Sequence, residues 1–176
     1  MKKLLFGLIA TVLFSVIGNA QRMTQEDVRL LLAKQMVSFT DAMKPAYQQA
    51  KDFKEFETIV CGDWLSKTTK EGHALLNASY SYISKNTTDA QILNSYSGKE
   101  MAAVVLLHNE NLKKGIKSDG SEIFGGTTGD FNPYASTVTG RCRWYQLACW
   151  FDEIFGPVAG PKALEATVVW LINLLT

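Results

Sequence analysis

Between Thr24 and Met43 the apolar residues Val28, Leu31, Leu32, Met36 and Phe39 recur at steps of three and four. That spacing places them on one face of an α-helix, and it sets the class of fold open to the chain. Thr24 followed by Asp27 has the form of a capping box with Asp in place of Glu, and an acidic first turn suits the helix dipole. Pro45 is compatible with the first turn of a new helix. A second helix is therefore expected to begin near it, with Tyr47, Ala50, Phe53, Phe56 and Val60 on one stripe, ended by Gly62. Trp64 and Leu65 would then cover the joint.

Helical steps continue through residues 66–85 at Leu75 or Leu76, Ser79 or Tyr80, and Ile83. Thr88 and Asp89 read as the N-cap and first turn of a short helix through Tyr96. Ser97-Gly98 breaks it. Lys99 to Lys113 then carries Met101, Val104, Val105 and Leu112 in a further helical pattern, with His108 on the same stripe. The expected fold is all-α, a small bundle of five to six helices. An irregular Gly-rich connection would precede a C-terminal helical hairpin.

The chain opens with Lys2 and Lys3, an apolar run from Leu4 to Ile17, and then Gly18-Asn19-Ala20, the pattern of a bacterial-type signal peptide. Mature protein is expected to start at Gln21. The apolar run is short for a membrane span, which needs about 20 apolar residues, and no cysteine follows it closely enough to carry a lipid. A secreted or periplasmic location follows. The remaining organisation is read as a helical domain over 21–114, a Gly-rich loop or linker over 115–140 and an aromatic, apolar hairpin over 141–176. In the linker Glu122 to Phe124 is expected to form a short extended piece; a stretch of this kind separates two units or supplies a mobile functional flap, and the separator is the favoured reading.

Eighteen Lys and Arg, two of them in the leader, face 17 Asp and Glu. A chain so nearly neutral has no basic face for nucleic acid, and Lys113, Lys114 and Lys117 are too few to make one. Chemistry-bearing motifs are equally sparse. His108-Asn-Glu110 matches the short half of a zinc deaminase pattern, but no Pro-Cys-x-x-Cys follows. No Gly-x-Ser-x-Gly elbow, phosphate-binding loop or twelve-residue calcium loop is present. Asn77-Ala-Ser79 and Asn86-Thr-Thr88 fit the glycosylation acceptor pattern, which is incidental behind a bacterial leader. No catalytic, cofactor-binding or metal-ligating residue is assigned.

Three cysteines, Cys61, Cys142 and Cys149, belong to a chain sent to an oxidising compartment, so one disulfide is expected. In an unbroken helix the Cys142 and Cys149 positions would lie about 10.5 Å apart along the axis, beyond the reach of about 7 Å that a bridge tolerates. Either the segment bends near Tyr145 to Leu147, or one of the two pairs with Cys61. Both members of the short pair sit in one aromatic block, which favours the bend.

That block holds Trp144, Tyr145, Trp150, Phe151 and Phe155, and the chain ends in Val168-Val-Trp170-Leu-Ile-Asn-Leu-Leu175. A helix is expected over 141–155 and a last one from Pro161. As core, the pair completes the bundle. As effector, it would place Trp144, Trp150, Phe151, Phe155 and Trp170 against a membrane surface or a protein partner. Two functions stand: a non-enzymatic secreted or periplasmic binding or interaction protein, and a membrane-active, bacteriocin-like or pore-forming secreted protein.

Overall fold

The computed structural model describes residues 24–116, 119–127, 142–146 and 149. Among the described residues five helices form the bundle: α1 (Gln25–Gln49), α2 (Phe53–Cys61), α3 (Lys70–Ser84), α4 (Asp89–Ser95) and α5 (Lys99–Lys113). Short 3-10 helices occupy Gly62–Lys67 and Ser121–Phe124, and the described residues include no strand. The fold is thus an all-α bundle. The leader, the expected last helix, and Trp150, Phe151, Phe155 and Trp170 lie outside the described residues.

The long helix α1 is the spine. Its capping box is formed as the sequence implies: the Asp27 N–H donates to Thr24 Oγ1 at 3.1 Å, and the Thr24 N–H donates to Asp27 Oδ2 at 2.8 Å. The Thr24 hydroxyl, which donates to Asp27 Oδ2 at 2.7 Å, and then the Thr24 N–H hold the Asp27 carboxyl below its usual range. Val28, Leu32, Met36, Phe39 and Met43 are buried along one face. α1 does not stop at Pro45, where a new helix was expected, but runs through it to Gln49. A proline withholds one N–H from the carbonyl four residues back, a local loss that the packed face on either side outweighs. The true boundary is Asp52, whose carboxylate caps α2 by accepting from the Glu55 N–H at 2.8 Å.

α4 and α5 are joined through polar groups that also anchor them to α1. Arg29 Nη1 donates to the carbonyls of Leu93 at 2.9 Å and Tyr96 at 3.0 Å, closing the C-terminal end of α4, while Glu26 holds the other side of the guanidinium. The first residue before α5 is Gly98, with φ 89°, and it supplies no side-chain cap. The buried Tyr96 hydroxyl takes that role, accepting from the Met101 N–H at 2.9 Å.

The Gly-rich stretch departs from the expected separator in its described part. Ile123 and Phe124 are fully buried in the same core as the helices, and 121–124 is a 3-10 turn rather than an extended piece. Thr69 stitches it down: its N–H and its hydroxyl both donate to the Ile123 carbonyl, at 2.9 and 2.8 Å. Thr68 Oγ1 donates to the Phe124 carbonyl at 3.0 Å. Gly72 makes this approach possible, because a Cβ there would meet the Ile123 carbonyl oxygen at 2.7 Å.

The aromatic block also enters the core. Residues 142–146 form a turn, not the start of the expected helix, with the Gln146 N–H donating to the Arg143 carbonyl at 2.9 Å. This bend brings Cys142 and Cys149 to disulfide distance, their Cα atoms 5.6 Å apart, and leaves Cys61 as the buried free thiol. The short pairing is the one formed.

Candidate functional site

Trp144, a contact candidate by sequence, has no exposed surface. Its ring meets Phe124 edge-on at 4.5 Å and Phe39 at 6.0 Å, and the neighbouring Tyr145 packs against Trp64 at 5.4 Å. Edge-to-face contacts of this kind add to the burial of large rings. Trp144 and Tyr145 are a wedge between α1 and the two 3-10 turns, so the start of the block is core. Cys142 and Cys149 clasp that wedge from both sides.

The groups that could do chemistry are engaged structurally. His108, on α5, is fully buried with Nδ1 3.2 Å from Glu122 Oε1. Asn111 Nδ2 donates to the same oxygen at 3.3 Å, and the Gly120 N–H donates to Oε2 at 3.1 Å. Together they hold the 119–122 turn to α5. Glu110, the other half of the deaminase-like pair, is exposed, so the two residues face different surroundings. His73 Nδ1 lies 2.5 Å from Glu57 Oε1, across α2 and α3. Cys61, one turn beyond Glu57, is buried, and that burial pushes its thiol up to about 11. A thiol so protonated at neutral pH is not an activated nucleophile. Among the described residues no group of three or more His, Cys, Asp and Glu could hold a metal ion.

A broad concavity among the described residues lies elsewhere, along α1. Thr40, Lys44, Tyr47 and Gln48 follow one another at steps of four, three and one, which sets them on one helix face. Opposite stand Ile83 and Ser84 at the end of α3, the turn residues Asn86 and Thr87, and Thr88, Asp89 and Ala90 where α4 begins. The groove between them encloses about 740 Å³ and is open to solvent. Asn86 makes the chain reversal with φ 51°, a conformation that Asn adopts more readily than most residues. The Thr87 N–H returns to the Tyr82 carbonyl at 2.9 Å, and Thr88 closes a capping box with Gln91. This wall is therefore fixed by its own backbone.

The groove carries few charges. Lys44 is its cation and Asp89 its anion. Asp41 pairs with Lys44 at 2.5 Å and, with Asp89, keeps the ammonium above its usual range. Thr40 is the exception among these polar groups: it is 4% exposed, and its hydroxyl has no hydrogen-bond partner. No family model, curated protein or solved structure matches this chain. Any reading of the groove therefore rests on its own chemistry. Sequence reasoning passed over these residues because a polar helix face looks the same whether it is solvated or lines a cleft. The one signal was the run from Ser84 to Asp89, polar or charged throughout, between two helices that both pack on α1.

Proposed function

We propose that this protein is an extracytoplasmic, non-enzymatic binding protein that receives its ligand in the groove between α1, the end of α3 and the start of α4. The observation that carries the reading is the groove itself, a wide cleft open to solvent whose lining mixes hydroxyl and carboxamide groups with apolar surface in nearly equal measure. Binding sites are concave, largely pre-formed and few per protein, with a small number of placed polar groups. The location is supported by the Cys142 and Cys149 pair, which suits an oxidising compartment, and by the leader-like start of the sequence. Among the described residues no helix is long and apolar enough to cross a membrane.

Small organic probes test the site without knowledge of its ligand. Acetamide, isopropanol and phenol, titrated separately into isotopically labelled mature chain, are expected to shift the same backbone amides, those of 40–44, 46–48 and 83–90. Shifts scattered over the surface, or centred away from those residues, contradict the reading.

A further inference from the structure

We infer that the ligand of this groove is a neutral, hydroxyl-rich oligosaccharide; the inference rests on the binding reading above and specifies its ligand class. The lining is dense in groups that both donate and accept, the hydroxyls of Thr40, Tyr47, Ser84 and Thr87 and the carboxamides of Gln48 and Asn86. A sugar presents the same dual-role groups in return. Lys44 is the one cation of the lining; Asp41 pairs with it and Asp89 acts on it too, so a strongly anionic ligand finds no free cation. A peptide would need either a free strand edge or apolar pockets for its side chains. The walls here are helical, and their aliphatic side chains are those of Ile83 and Ala90. Tyr47 supplies the flat apolar surface on which a pyranose C–H face rests. Its ring packs against Tyr80 in a tilted arrangement, the centroids 5.1 Å apart.

Thr40 points independently to an occupant. A buried hydroxyl without a partner costs stability; Thr40 lines the groove, and its hydroxyl lies just beneath the surface there. Helical side chains lean over the turn that precedes them, and the Lys44 to Asp41 pairing shows Lys44 doing so, across the turn that holds Thr40. That pair is exposed on both sides and therefore weak, so Lys44 is readily displaced. A ligand hydroxyl that moves Lys44 aside gives Thr40 its missing bond.

The test is a backbone-amide titration of the mature, disulfide-bonded chain with N-acetylglucosamine tetramer and, separately, maltotetraose. A neutral blocked tetrapeptide is the comparison. At least one saccharide is expected to bind saturably, with a dissociation constant of about 1 mM or tighter, shifting Tyr47, Gln48, Ser84 and Asn86. Thr40→Val keeps the side-chain shape and removes the orphan hydroxyl. It is expected to unfold at the same or a higher temperature while weakening saccharide binding roughly 3- to 10-fold, the loss of one hydrogen bond. Asn86→Gly keeps the left-handed turn and is expected to weaken binding to a similar extent. If the tetrapeptide binds in the groove and neither saccharide does, the ligand class is wrong while the binding reading stands. If the saccharides and the small probes all leave the groove unperturbed, both fall. Saccharide binding that neither variant weakens also overturns the assignment.

Discussion

Cys61 is the residue whose behaviour follows most directly from its surroundings. Its thiol is buried among the side chains of α2 and the neighbouring turn, and desolvation, which disfavours the thiolate, raises its pKa to about 11 from an ordinary 9.0. The sign of the pH effect follows. A group with a raised folded pKa contributes stability in full below its unfolded value and loses it as pH climbs to the folded one. Stability is therefore lost between pH 9.0 and about 11 on account of Cys61. At 1.36 kcal/mol per unit the effect approaches about 3 kcal/mol. Urea unfolding followed across that range should show a steeper alkaline decline for the native sequence than for Cys61→Ala. Equal slopes would mean that the thiol reaches water. Labelling by a thiol reagent at pH 8 should likewise be on the order of 100-fold slower in the folded chain than in urea, in proportion to the thiolate present.

At the scale of elements, what could be read from sequence was what is encoded locally. Caps are local, and so Thr24 with Asp27, Thr88 and Gly98 mark the ends of α1, α4 and α5 where the sequence implies them. Pro45 misled because a single unfavourable residue in a helix is outweighed by packing along its whole length. The 3-10 turn at Ser121–Phe124 was not legible at all. Its anchors, Thr68 and Thr69, lie more than fifty residues away in sequence, and glycines and polar residues surround the two apolar side chains that matter. Gly72 tests this docking. Alanine is the better helix former by about 1 kcal/mol, so on helix propensity alone Gly72→Ala should stabilise α3. With the Ile123 carbonyl 2.7 Å from the new Cβ, the substitution is instead expected to destabilise the protein by about 1 to 3 kcal/mol. Thermal unfolding checks the sign, and a raised melting temperature would show that the turn does not press on α3. The groove escaped sequence reading for a related reason. Thr40 and Asn86 come together only through the packing of α3 and α4 on α1.

For the whole molecule, the bend that joins Cys142 to Cys149 decides how the aromatic block relates to the bundle. The bridge closes a short loop, for which chain entropy gives roughly 2 to 3 kcal/mol. Its larger effect is local, since it holds Trp144 and Tyr145 in the turn that fills the core beside Phe39, Phe124 and Trp64. Trp144→Ala, which empties a fully buried site, is expected to cost about 3 to 5 kcal/mol. Mild reduction should lower the melting temperature by less than that substitution does. It should also broaden the near-ultraviolet circular dichroism of the tryptophans while leaving the helical signal largely intact. A reduced protein with unchanged aromatic signal would place the wedge's stability in packing alone.

On the proposed reading the protein acts by binding a ligand, while the head of its aromatic block is committed to the core. The most direct test is dye release from phosphatidylethanolamine and phosphatidylglycerol vesicles, challenged with mature, disulfide-bonded protein at micromolar concentration. A binding protein leaves the vesicles sealed, and no release is expected. Concentration-dependent release at or below about one protein per hundred lipids would contradict the binding reading and favour a membrane-active protein instead.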